Sequence, residues 1–187
     1  MRIMLRDVRL AFPSIWKMSA PRGGGEAAFS ASFLMNPKHK QIAELKAAFA
    51  TLAKDKWAAK GPAILKALEA SDKLCLHNGD SKAEYEGFPG NFYVSTRSKA
   101  RPTVFDGQRQ ELSEADGKPY SGCYVNASIE LWAQDNDFGK RINAQLRGVQ
   151  FLRDGDAFAG GSTPASSDEF DEIGAPVEDE VEDDLTA

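Results

Sequence analysis

Cysteine and histidine are scarce: the 187 residues hold two of each, Cys75 and Cys123, His39 and His77. Two cysteines do not make a disulfide framework, so a reducing cytoplasm is the expected setting. Cys75-x-His77 resembles half of a zinc site, but no paired CxxC or HxxxH spacing accompanies it, and no metal or cofactor is expected. No hydrophobic run approaches the ~20 residues of a membrane span. The N-terminus also lacks the long apolar core of a signal peptide, so no membrane role is expected. A GxSxG elbow, a P-loop and a GxGxxG fingerprint are all missing. The triple glycine at 23–25 is not followed by Lys-Ser or Lys-Thr and reads as a flexible loop. Asp135 with Asp137 and Asp154 with Asp156 resemble carboxylate pairs of a metal-dependent nuclease. Each pair stands in a turn, where Asp is favoured anyway.

Positive charge is missing altogether from the last 26 residues. Residues 162–187 hold ten acids and no Lys or Arg, so residues 1–161 carry 18 acids against all 23 bases. The net charge of −5 therefore hides a basic body of +5 and a detached acidic tail. The segment 160–187 is Ser, Pro, Gly and acid, a composition expected to be disordered. A flexible chain of about 26 residues has a root-mean-square span of roughly 25–30 Å, enough to reach across the body. The expected division is a body over 1–159 and a tail over 160–187.

Within the body, Tyr120 to Asp154 predicts two long strands and a turn. Val125, Ala127, Ile129 and Leu131 alternate with Tyr124, Asn126, Ser128, Glu130 and Trp132, a period of two. Gln134 to Gly139 supplies the turn. Ile142, Ala144 and Leu146 form the returning apolar set, and after Gly148 the phase shifts to Val149 and Phe151, as at a β-bulge or barrel corner. Earlier, residues 2–12 predict a strand with a phase slip near Arg6-Asp7, 13–26 a loop, and 28–35 a second strand. Asn36-Pro37 offers a helix start. Ile42, Leu45, Phe49 and Leu52 share one helix face, and Gly61-Pro62 begins a shorter helix, giving a helical insertion over about 37–70. Residues 71–91 are expected to be irregular, 92–98 a third strand, 103–105 a short one and 106–119 a polar connection. About five strands that do not alternate with helices argue against a parallel βαβ sheet. The fold class is mainly β with inserted helices, a five-stranded, partly open Greek-key barrel of OB type.

Basic and aromatic residues lie opposite the apolar sets. They are Tyr93, Arg97, Lys99 and Arg101 on and after the third strand, and Tyr124, Trp132, Arg141 and Arg147 on the hairpin. Flat rings stack on bases without reading sequence and cations follow phosphates, which is what single-stranded nucleic acid asks for. The alternative for each ring is packing, and for Trp132 a one-residue slip of the hairpin would turn it into the core. The pattern points to a non-enzymatic binder of single-stranded nucleic acid. A small nuclease and an acidic-tailed interaction protein without nucleic-acid affinity are the alternatives. Oligomeric state, a homo-oligomer included, is left open.

Gly122-Cys123-Tyr124-Val125-Asn126-Ala127, then Glu130-Leu131-Trp132, then Leu146-Arg147-Gly148-Val149-Gln150-Phe151 with Arg153-Asp154-Gly155, make the chain resemble phage-encoded single-stranded DNA-binding proteins. The opening Arg6-Asp7-Val8-Arg9-Leu10-Ala11-Phe12-Pro13 is similar to that family's first strand. In design the family is related to the gene 2.5 type of T7-like phages. The resemblance implies an OB-fold and no catalysis. It also implies coating of replicating or recombining phage DNA in the host cytoplasm, and a tail that contacts phage or host replication proteins. Many such tails end in an aromatic residue, whereas this one ends Asp183-Asp184-Leu185-Thr186-Ala187. Its one aromatic is Phe170, so Asp168, Glu169, Phe170, Asp171 and Glu172 are the expected partner-binding segment.

Overall fold

The structure, a computed structural model, describes residues 1–21 and 23–158. The expected tail, with residues 168–172, lies outside the described residues.

Alternating apolar residues make the strands. In β6 (Tyr124–Asn136), Val125, Ala127, Ile129 and Leu131 are all fully buried, and in β7 (Gly139–Arg153) so are Ile142, Ala144, Leu146 and Val149. The two pair antiparallel, with Asp137 and Phe138 alone forming the turn, so the strands run further than the sequence suggested. The register breaks between Ser128 and Ile129, opposite the interval from Gly148 to Leu146, and a bulge at Arg147-Gly148 produces the phase shift read from the sequence. Gly148 also lets β5 (Thr103–Phe105) come close, since a Cβ there would lie 2.8 Å from Thr103 Oγ1.

β1 (Arg2–Ser19) is longer than the expected 2–12, because it runs through Pro13 by means of bulges. The first bulge lies at Arg6-Asp7, where Asp7 takes a φ of 52°. It frees the Arg6 N–H, which donates to Gln41 Oε1 at 2.7 Å, while Gln41 Nε2 donates to the Met4 carbonyl at 2.6 Å. Gln41 is buried and is the first residue of α1 (Gln41–Trp57), so the helix begins where it mends the strand. That is four residues after the expected start at Pro37, and the Asn36 side chain instead accepts from the Lys38 N–H in the turn between. α2 (Gly61–Ala70) follows with Pro62 in its first turn. Leu45, Ala48, Phe49 and Leu68 face the core, and the helices cover one end of the barrel against β6 and β7.

β2 (Ala28–Met35), β3 (Leu76–Asn78) and β4 (Phe92–Ser98) complete one sheet of seven strands, ordered β3-β4-β2-β1-β6-β7-β5. Every neighbouring pair is antiparallel except β5 with β7. The sheet curls so that β4 meets β7, with Gln145 Nε2 donating to Ser98 Oγ at 3.5 Å. The chain is thus mainly β with inserted helices, as expected. Seven strands stand where about five were expected; the short strand at 103–105 is where the sequence put it, and β3 is the addition, in the stretch expected to be irregular. The main core fills the barrel, and a second cluster, Ala11, Leu34, Phe88, Tyr93 and Phe158, forms apart from it.

Both cysteines sit in the main core, and burial pushes their thiols up, Cys75 to about 12 and Cys123 to about 11. The folded chain holds both protons, whereas an unfolded thiol releases its own near pH 9. Each thiol therefore favours unfolding progressively as pH rises from about 9 through those folded values, and has no such effect below that window. Iodoacetamide at pH 8 is expected to leave both thiols unlabelled in native protein and to label both in urea, as intact mass will report. Rapid native labelling at either position would contradict this packing.

Candidate nucleic-acid interface

An open groove of about 1230 Å³ runs across the outer faces of β2 and β4, between the hairpin arm of β6 and β7 on one side and residues 73–85 on the other. Its floor carries small polar side chains, Ser30 and Ser32 of β2 with Ser95 of β4. Its cations are Lys73, Lys82, Arg97, Lys99 and Arg141, and its exposed rings are Trp132 and Phe12, each 45% accessible.

The hairpin register places Trp132 opposite Asn143 on the outer face, so the ring stands in the groove and not in the core. Arg141 is opposite Gln134 on the same wall. The arm is tied to the helices, because Trp57 Nε1 at the end of α1 donates to Asp135 Oδ2 at 2.8 Å. Lys140 donates to the same carboxylate. These bonds, Lys140 first and then Trp57, hold the Asp135 carboxyl below the usual range. Arg97 of β4 and Lys99 just past its end reach the groove and both engage Glu26, Arg97 through the backbone carbonyl and Lys99 through the carboxylate. The Lys99 hydrogen bond lowers the Glu26 pKa.

The other residues read from the sequence lie elsewhere. Tyr93 alternates with Val94 as expected but is 4% accessible, its ring stacked on His77 at 4.9 Å and covered by the Lys82 ammonium at 4.8 Å. No ring face remains for a base, because residues 77–88 fold over it. Arg101 leaves the groove and lies over the Trp16 ring at 5.5 Å. Arg147 is outside it and pairs with Glu130 at 3.4 Å. Tyr124 is half-buried between Arg153, 3.5 Å from its centroid, and Arg9 at 5.7 Å. Four expected residues thus converge on the groove (Arg97, Lys99, Trp132 and Arg141) and four do not.

Lys73, Lys82, His77, Tyr85 and Phe12 were not expected there. Four of the five sit between residues 73 and 85, a stretch without hydrophobic period, and Phe12 is one more apolar residue of β1 by pattern. His77 bonds Asp72 Oδ1 through Nδ1 at 2.7 Å and Ser95 Oγ through Nε2 at 2.9 Å. That order has the form of a hydrolase relay. However, the Ser95 N–H, the donor such a site turns on an oxyanion, is given to the Cys75 carbonyl at 2.8 Å. The relay fits a fixed groove floor. His77, Cys75, Cys123 and His39 do not assemble, and among the described residues no three His, Cys, Asp or Glu side chains gather as a metal site needs.

Comparison with known proteins covers nearly the whole chain. Protein p50 of Acyrthosiphon pisum secondary endosymbiont phage 1 is 44% identical over 97% of this chain and 98% of its own length. The single-stranded DNA-binding protein of bacteriophage Enc34, solved in complex with ssDNA, is 28% identical, with a TM-score of 0.68 over 83% of this chain and 88% of that one. The single-stranded DNA-binding protein gp2.5 of bacteriophage T7 shares the fold, with a TM-score of 0.56 over 92% of this chain and 98% of its own, at 11% identity. The sequence also matches the family described as Enterobacter phage Enc34, ssDNA-binding protein, and the match runs through residues 1–186. With so little of the chain outside that match, it belongs to the Enc34 single-stranded DNA-binding protein family.

Proposed function

We propose that this chain binds single-stranded DNA with little sequence preference and without catalysis, during replication or recombination of phage DNA in the host cytoplasm. The observation that carries this is one groove in which exposed Trp132 stands beside Arg141 and faces Arg97 and Lys99. Rings take bases through their π-faces and cations take phosphates, so any sequence fits. The Enc34 protein, which was solved with ssDNA, has this fold. The nuclease alternative asks for free carboxylates, but Asp135 is engaged by Lys140 and Trp57, and Asp154 by Lys118 and Tyr120. A gel shift with labelled oligo-dT, with and without magnesium, tests the proposal. A retarded band of unchanged length is expected. Shortened DNA would favour the nuclease, and no shift would favour the interaction protein.

The acidic tail is proposed to compete with DNA for the groove and, when displaced, to recruit replication proteins through Asp168 to Glu172. Support comes from its root. Phe158 packs in the second cluster with Phe88 and Tyr93, and Lys82, which lines the groove, covers the Tyr93 ring. A tethered chain can hold a millimolar effective concentration there. Deleting residues 162–187 should tighten DNA binding by about a few-fold at physiological salt, where the screening length is about 8 Å, and by more at lower salt. It should also abolish capture of replication proteins. Equal affinity across salt concentrations would remove the competition, and Phe170→Ala should lose the partner without changing DNA affinity.

A further inference from the structure

The groove has a second aromatic end, away from Trp132, and its construction is costly. Phe12 sits in the second bulge of β1, where pairing with β2 slips between Ala11 and Ser14. Its φ is 49°, in the left-handed region that a bulky side chain rarely adopts, and Pro13 follows it. Bulges beside functional sites re-aim a side chain, and strained backbone persists where the surroundings hold it in place. Here the side chain re-aimed is an apolar ring, and it is turned outward: Phe12 lines the groove at 45% accessibility while Ala11 and Leu10 beside it are fully buried. Tyr85 meets the ring edge-on, with centroids 5.0 Å apart and planes at 84°, and Phe88 supports it at 5.4 Å. Lys82 also lines the groove, with its ammonium 5.9 Å from the Phe12 centroid.

We infer that Phe12 and Lys82 form a nucleotide subsite, the ring stacking one base and the ammonium taking a neighbouring phosphate. This rests on the single-strand-binding reading and deepens it. Trp132 and Phe12 then mark two stacking points along one groove, and a strand in it is held at both. The subsite selects a flat base over any particular base, since neither group reads a hydrogen-bonding edge.

The test is fluorescence anisotropy with labelled oligo-dT on the full chain. Phe12→Ala and Phe12→Leu are each expected to weaken binding about 5- to 100-fold, because Leu keeps apolar bulk but offers no flat face. Phe12→Leu should melt within a few degrees of the parent, and Phe12→Tyr should bind as the parent does. Lys82→Gln should flatten the slope of log affinity against log salt by about 0.7. Irradiating the parent protein with 5-iododeoxyuridine-substituted oligo-dT should leave an adduct on Phe12, located by peptide fragmentation. Parent-like affinity of Phe12→Leu would overturn the subsite and leave the general reading standing, as would adducts confined to the Trp132 arm. Failure of the parent protein to bind oligo-dT would overturn both.

Discussion

Raising the salt tenfold should weaken the complex with oligo-dT by about 3,000-fold. Five cations line the groove, Lys73, Lys82, Arg97, Lys99 and Arg141. If each neutralises one phosphate of a single strand, log affinity falls with log salt at a slope near −0.7 per contact, about −3.5 in all. Arg97→Ala with Lys99→Ala should flatten the slope by about 1.4. Adding Arg101→Ala to Arg97→Ala should change it no further than Arg97→Ala alone, since Arg101 lies over Trp16 outside the groove. The run Arg97-Lys99-Arg101 looks continuous in sequence, so this contrast separates the folded arrangement from the composition. A slope near zero, or one untouched by Arg97→Ala, would remove this groove as the DNA path.

Trp132→Ala and Tyr93→Ala should fail in opposite ways. Trp132 is 45% accessible in the groove, so its truncation should cost about 1–3 kcal/mol of DNA binding, on the order of 5- to 150-fold, and little stability. Tyr93 is 4% accessible, packed among Phe88, Ala11 and Leu34. Removing it leaves a cavity, at about 3–5 kcal/mol of unfolding free energy by analogy with other buried rings. Urea denaturation and anisotropy on both variants measure the two axes. A Trp132→Ala protein that melts early yet binds normally would return that ring to a packing role.

The sequence made one half of this contrast visible. Period-two alternation placed Trp132 and Arg141 on an outer face, and the two-residue turn at Asp137-Phe138 then fixed the register that the pattern left open. Gly148 and Arg6-Asp7 announced their bulges, because a bulge shifts phase and phase is written in the residues. Tyr93 was equally well placed by period, yet an outward face is exposed only if nothing folds over it. What covers Tyr93 is residues 77–88, held by the His77 stack and by a Gly79 that packs against the Phe88 and Asn91 carbonyls too closely for a side chain. Contacts of that kind join an unpatterned stretch to a strand and leave no periodic trace. Lys82 and Phe12 were missed for the same reason. Lys82 lies in that stretch, and the bulge that turns Phe12 outward falls inside a run of apolar residues.

The two outermost strands of the sheet, β3 and β5, are three residues long. An unpaired strand edge is a template on which another chain can add a strand, and longer edges invite that more strongly. Here β4 and β7, which would otherwise end the sheet, are each partly covered by a three-residue flap, one antiparallel and one parallel. Under the proposed function, copies bound along one strand of DNA would meet at raised local concentration, where an open edge invites strand addition. On that reading, the flaps are expected to keep the sheets of neighbouring copies from merging.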